Sequence, residues 1–301
     1  SAPFLDGSIR AAGTTWGSGG LPNTDVMLTF REPRVWDVPL GSQSVTVSQR
    51  GNAVNYQTVS PRPTGISLKG RIDSLFTGQP RVASSARIGS RPVVAFLNRL
   101  SPTADSVKGS YGLHATFGGT LPTWTAQATL NAQSRLLSGG VTLDAAMCDS
   151  VPRHVRWSLG DDGLRAGRRP FPLHASGRLY TDSLVLDSVA FLGGASAHGT
   201  IGLTRPDNVD LDLTYDAISI ADIDAWFYRG GMPLDSGFVS GRTRIAGFRK
   251  NLVTSTLLRL QKAALGELKP LATDAIVTTA GEHVTVMPLV VRKGGVVIMS
   301  L

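Results

Sequence analysis

Apolar and polar residues alternate one by one along much of this chain, the period of a strand with one dry face and one wet face. The clearest run is Val209-Asp210-Leu211-Asp212-Leu213-Thr214-Tyr215-Asp216, in which every odd position is apolar or aromatic and every even position is Asp or Thr. In a helix that spacing would scatter both classes around the cylinder. The same period recurs in Val26-Met27-Leu28-Thr29-Phe30-Arg31, Val45-Thr46-Val47-Ser48, Ile66-Ser67-Leu68-Lys69 and Tyr111-Gly112-Leu113-His114-Ala115-Thr116-Phe117. It continues in Val141-Thr142-Leu143-Asp144, Val155-Arg156-Trp157-Ser158-Leu159, Ile201-Gly202-Leu203-Thr204, Val284-Thr285-Val286 and Val296-Val297-Ile298.

Turn chemistry separates these runs: Arg50-Gly51-Asn52, Leu192-Gly193-Gly194, Arg205-Pro206-Asp207-Asn208, Ala280-Gly281-Glu282 and Lys293-Gly294-Gly295. Six Asp-Ser dipeptides, at Asp73, Asp105, Asp149, Asp182, Asp187 and Asp235, read as punctuation at strand ends, because both side chains hydrogen-bond their own backbone in turns. Short helices are expected only over residues 93–100 and 221–227, and residues 257–268 fit neither period. Three segments share an apolar residue, a spacer, a Gly and then a strand, at Leu5-Asp6-Gly7, Val107-Lys108-Gly109 and Val239-Ser240-Gly241, as degenerate strand-initiation units.

The fold class expected is therefore all-β: a long, curled, mostly antiparallel sheet with at most one or two short helices. Residues 1–104, 105–235 and 236–301 are read as successive segments of one continuous sheet. Ser1 without a preceding Met and the strand-like 296–301 suggest a chain cut from something longer. At about 12 residues per strand and turn, such a sheet would extend on the order of 120 Å, with strands of about six residues, about 20 Å, across it.

Composition sharpens this reading. The 34 glycines and 17 prolines among 301 residues disfavour long helices, whose interiors lose about 1 kcal/mol per Gly and about 3 per Pro. The net charge of +8 would attract nucleic acid or anionic headgroups, but the arginines are scattered and no aromatic residues interleave with a basic stripe, so nucleic acid is not expected. Arg165, Arg168 and Arg169 form the one dense group, read as a solvated turn with a headgroup contact as the alternative. Cys148 is the single cysteine, which excludes an intrachain disulfide. No apolar run approaches the roughly 20 residues that span a bilayer as a helix.

The same residues offer no grouped catalytic chemistry. His114, His154, His174, His198 and His283 lie in separate segments, without metal-ligand spacing to each other or to Cys148. Gly194-Ala195-Ser196-Ala197-His198 approaches a nucleophile elbow, but His replaces the second Gly and no helix pattern follows. Asp161-Asp162-Gly163 reads as a hairpin loop before it reads as a carboxylate pair. Trp16, Trp36, Trp124, Trp157 and Trp226 are too dispersed for a carbohydrate platform. Neither an active site nor a cofactor is expected.

A recurring style of Gly-x-Leu, Asp-Leu-x-Leu and Ile-x-Ile-x-Asp-Ile strands is seen in Gly177-Arg178-Leu179, Leu184-Val185-Leu186, Gly199-Thr200-Ile201-Gly202-Leu203, Asp210-Leu211-Asp212-Leu213 and Ile218-Ser219-Ile220-Ala221-Asp222-Ile223. This resembles the AsmA-like superfamily, and within it proteins of the translocation and assembly module (TamB) type. The resemblance is strongest over residues 173–247. It implies a β-taco whose apolar groove carries phospholipid acyl chains across the periplasm of a Gram-negative-type bacterium. It also implies an inner-membrane anchor outside this segment and an outer-membrane β-barrel assembly partner.

One-sided alternation nominates the groove wall: Val26, Leu28, Phe30, Val45, Val47, Ile66, Leu68, Leu113, Phe117, Val141, Leu143, Leu184, Leu186, Ile201, Leu203, Val209, Leu211, Leu213, Val284 and Val286. The same residues would also suit an ordinary closed β core. Two further readings compete with a lipid conduit: a structural or adhesive β-solenoid, which uneven repeat spacing disfavours, and a hydrolase using Ser196 or an Asp pair with a histidine.

Overall fold

A computed structural model describes the chain except residues 1–4, 18–20, 22, 36–37, 60–64, 91–108, 135–136, 167–168, 205–207, 225–233, 235, 249–250, 266–267, 281–282 and 301. It is all-β: 21 strands belong to one antiparallel sheet that is not closed into a barrel. The chain divides into two compact units, Ser1–Asp149 and Ser150–Leu301.

The first unit holds β1 (Leu5–Trp16), β2 (Asn23–Val35), β3 (Val38–Pro39), β4 (Gln43–Arg50), β5 (Ala53–Thr58), β6 (Ile66–Asp73), β7 (Arg81–Ile88), β8 (Gly109–Thr120), β9 (Thr125–Ser134) and β10 (Leu137–Cys148). Each strand pairs with the next, with β3 and β4 lying end to end beside β2.

The second unit holds β11 (His154–Ala166), β12 (Arg169–Pro170), β13 (Leu173–Leu179), β14 (Ser183–Phe191), β15 (Ala195–Gly202), β16 (Asn208–Ser219), the short helix α1 (Ile220–Ile223), β17 (Ser236–Phe248), β18 (Asn251–Leu265), β19 (Leu268–Ala280), β20 (His283–Lys293) and β21 (Val296–Ser300). It is the same meander, with β12 and β13 end to end beside β11.

Many strands are twice the expected length, reaching 15 residues in β18. The alternating runs mark only strand centres, because flanking Gly, Ser and Thr extend the ladder without adding to the hydrophobic period. Bulges keep these long strands continuous. Ladder register shifts at Gly7 (φ 132°), at Ala217 (φ 48°) between Tyr215 and Ile218, and at Lys262 (φ 51°) between Leu260 and Ala263. Each such extra residue bends its strand and increases local twist. The last of them explains residues 257–268: Leu260 and Ala263 face the same way three positions apart, so no single period fits.

Two sequence expectations need correction. Asp161-Asp162-Gly163 lies inside β11, not in a hairpin loop, and Asp161 accepts the Leu173 N–H at 3.1 Å. Asp187 likewise lies within β14, at a register shift, where Arg178 binds its carboxylate at 2.6 Å. Of the expected helices, α1 starts one residue early at Ile220 and residues 225–227 lie outside the described residues, as do residues 93–100, Asp105 and Asp235.

Carboxylate–guanidinium pairs tie the second unit's strands across one face: Arg178–Asp187, Arg242–Asp212 at 2.9 Å, Arg244–Asp210 at 3.3 Å, and Asp274 with Arg259 at 2.9 Å and Arg292 at 3.1 Å. The hydrogen bond from Arg259, helped by Arg292 and opposed by partial burial, holds the Asp274 carboxyl below its usual range. A carboxyl depressed in the folded state stabilises at pH above its unfolded value, about 3.9, and loses that contribution as pH falls through its folded value. The pair is surface-exposed, so Asp274→Asn should lower stability by only about 0.5–1 kcal/mol near neutral pH. Thermal melts of both proteins between pH 2 and 6 check this: the difference should disappear at the acidic end.

Candidate functional site

Residues directly opposite one another in neighbouring strands project to the same side of a sheet, so register alone decides which side chains share a face. In the first unit one row runs Ala11, Leu28, Val45, Thr58 across β1, β2, β4 and β5, and a second runs Leu68, Ala86, Ala115, Ala128, Leu143 across β6 to β10. The Leu68 N–H donates to Thr58 Oγ1 at 2.8 Å, which joins them. The neighbouring row contains Val26, Val47, Tyr56, Gly70, Ser84, Phe117, Ala126 and Ala145. On the opposite side the matching row is Ser67, Arg87, His114, Thr129 and Thr142.

The second unit repeats the arrangement. One row is Trp157, Gly177, Leu186, Gly199, Leu211, Ile245, Thr254, Thr279 and Val284, crossing nine strands. Beside it run Ala197, Leu213, Thr243, Thr256, Val277 and Val286, and on its other flank Leu184, Ile201 and Val209. Arg178, Asp210, Asp212, Arg242 and Arg244 face the other way. That second face is not wholly polar, since Leu257 and Ile276 pair on it and are both exposed.

Nineteen of the twenty residues nominated from alternation therefore fall on the apolar face of their unit, and Leu203 lies one position beyond β15, outside the ladder. Val45 and Val209 are buried; Leu143, Leu203, Val284 and Val286 are exposed; the other fourteen are half-buried. That distribution is neither the dry interior of a sandwich nor a freely solvated sheet. In β18 the inward positions 252, 254, 256, 258 and 260 are half-buried while the intervening ones are exposed. Side chains of one face shelter one another when a sheet bends toward that face, and no second sheet is needed.

Only Tyr111 and Ile220 have fully buried large side chains among the described residues. Tyr111 packs with Ala132, Ile88, Leu113, Leu130 and Leu137. Ile220 of α1 sits on Ala263 and Leu271, with Val239, Leu260 and Val291 around them, so α1 covers one end of the apolar face in the second unit. Its Asp222 pairs with Arg169 of β12, which gives one member of the arginine group a structural partner.

Alternation missed the residues beyond each bulge, where the phase changes: Val189 and Phe191 in β14, Ile218 after Tyr215, and Ala263 after Leu260. It also missed how the aromatics lie. Trp157 is opposite Gly177 and Tyr215 opposite Gly241, and a Cβ on these glycines would come within 2.8 Å of the indole and 2.7 Å of the phenol ring. The rings lie flat over the glycines, so large side chains line the face without filling it.

Ser196 and His198 are on the other face. Ser196 Oγ pairs with Thr214 Oγ1 at 2.7 Å rather than with His198, and Asp212, opposite His198, is held by Arg242. Ser196 and His198 belong to β15, whose preceding turn is 192–194. Among the described residues no three His, Cys, Asp or Glu side chains are grouped as metal ligands, and no helix is long and apolar enough to cross a membrane. A shallow depression of about 750 Å³ near the Gly7 bulge is lined by both acidic and basic groups, including Asp6, Glu32, Arg31 and Arg34. No family model, no curated protein and no solved structure matches this chain.

Proposed function

We propose that this chain is a non-enzymatic lipid carrier that binds phospholipid acyl chains on its apolar face and lets them move from strand to strand. The observation that carries the proposal is the run of apolar rows across nine strands in each unit, half-sheltered and without a second layer over them among the described residues. Strands of 12 to 15 residues, such as β1 and β18, make a wall about 40 Å broad, wide enough for both chains of a diacyl lipid. Removing one acyl chain from water gains roughly ten kcal/mol, at about 0.8 per CH₂. Because successive rows offer similar surface, displacement by one strand, about 4.8 Å, exchanges like contacts for like and needs no catalytic group.

The AsmA-like style of residues 173–247 extends the proposal to traffic between the inner and outer membranes of a Gram-negative-type envelope, with a β-barrel assembly protein as a partner. Lipid extraction and mass spectrometry on protein purified without detergent test the binding. Copurifying phospholipid is expected; its absence, together with failure to take up added lipid, would overturn the proposal.

A further inference from the structure

A cluster of five hydroxyls forms a polar island on the apolar face of the second unit, apart from the single inward hydroxyl of Thr273. Tyr215 Oη lies 3.1 Å from Thr243 Oγ1, Thr243 Oγ1 lies 3.0 Å from Thr256 Oγ1, and Thr254 Oγ1 lies 2.5 Å from Thr279 Oγ1. All five residues belong to inward rows, on the four adjacent strands β16 to β19. Apolar residues surround them: Leu211, Leu213 and Ile245 toward β16, Val277, Val284 and Val286 toward β20.

Five hydroxyls bring five protons, and the three hydrogen bonds among them use three. Two donors remain, directed neither to another side chain nor to the backbone. The five hydroxyls are half-buried among apolar side chains, where a donor gains from a fixed acceptor. The partner that fits offers two acceptors for these protons and continues into apolar material on both sides.

We infer that this island is a resting site for the ester linkage of a diacyl glycerolipid, whose two carbonyl oxygens take the two free hydroxyl protons while the acyl chains spread over the flanking apolar rows. The inference rests on the lipid-carrier reading and adds a position to it. On an otherwise even apolar surface, the island marks where a lipid pauses and in which orientation. It also makes the site selective for ester-linked chains over hydrocarbon of the same length.

The test compares two fluorescent probes with identical acyl-length chains and phosphocholine headgroup, one diester and one diether, titrated against the intact chain. The diester should bind about tenfold more tightly, on the order of two hydrogen bonds of modest net worth. Removing all five hydroxyls, Tyr215→Phe with Thr243→Val, Thr254→Val, Thr256→Val and Thr279→Val, should lower diester affinity to the diether level and leave the diether unchanged. Thr243→Ser/Thr256→Ser, which keeps every hydroxyl, should retain the preference, and Thr278→Val on the opposite face should not alter it. Equal binding of both probes by the unmodified chain would overturn the inference and leave the carrier reading intact. Binding of neither probe would overturn both.

Discussion

Aspartate at both Leu211 and Ile245 should weaken binding of a fluorescent acyl probe by about 100-fold, while Leu211→Ala and Ile245→Ala alone should each cost less than threefold. The two residues are directly opposite across β16 and β17, half-buried in the middle of the apolar face. Two carboxylates there must keep water, so the three or four CH₂ groups that would lie against them lose their burial, roughly 3 kcal/mol in total. A single alanine removes little because each inward side chain meets only a small part of an acyl chain. Aspartate at Ser196 and Thr214, paired on the outer face, is the control and should leave binding unchanged. Circular dichroism of every variant checks that the sheet persists. If the inward and outward pairs behave alike, the apolar face is not the binding surface.

The second large effect concerns stability. Ile220→Ala should destabilise the second unit by about 3 kcal/mol, because Ile220 has no solvent exposure and its loss leaves a cavity over Ala263 and Leu271. Ile220→Val should cost about 1 kcal/mol. The damage should be local. Hydrogen exchange should accelerate in β17, β18 and β19, which meet around α1, and stay unchanged in β4 to β8 of the first unit. Uniform acceleration throughout would show that α1 stabilises more than the end of one face.

Much of this architecture was legible in the sequence, and the part that was not has a common cause. Alternation reports which way a residue points only while the phase holds. In Val209 to Tyr215 it holds over the whole run, and the predicted face is the observed one. At Ala217 and Lys262 the extra residue of a bulge reverses the phase, so Ile218 and Ala263 could not be assigned from spacing. Strand length was underestimated for a related reason: Gly, Ser and Thr support a hydrogen-bonded ladder while adding nothing to the hydrophobic signal.

The threonine island was invisible for another. Thr243, Thr254, Thr256 and Thr279 lie in three strands, and their meeting depends on cross-strand register, which no single run encodes. Polar residues at inward positions look like defects in an alternating pattern until the pairing is known. The flat placement of Trp157 and Tyr215 over Gly177 and Gly241 is likewise a property of paired strands. A glycine read singly is a weak point in a strand; read with its neighbour, it is the space that lets an aromatic ring lie down.

The most direct test of the account is photolabelling by a phospholipid carrying a diazirine near the end of one acyl chain, with the labelled residues mapped by mass spectrometry. The account predicts labels at inward positions such as Leu184, Leu186, Ile201, Val209, Leu211 and Leu213, and none at the intervening Val185, Thr200, Asp210, Asp212 and Thr214. Labelling that ignores this alternation, or that falls mainly on the outward series, would contradict it.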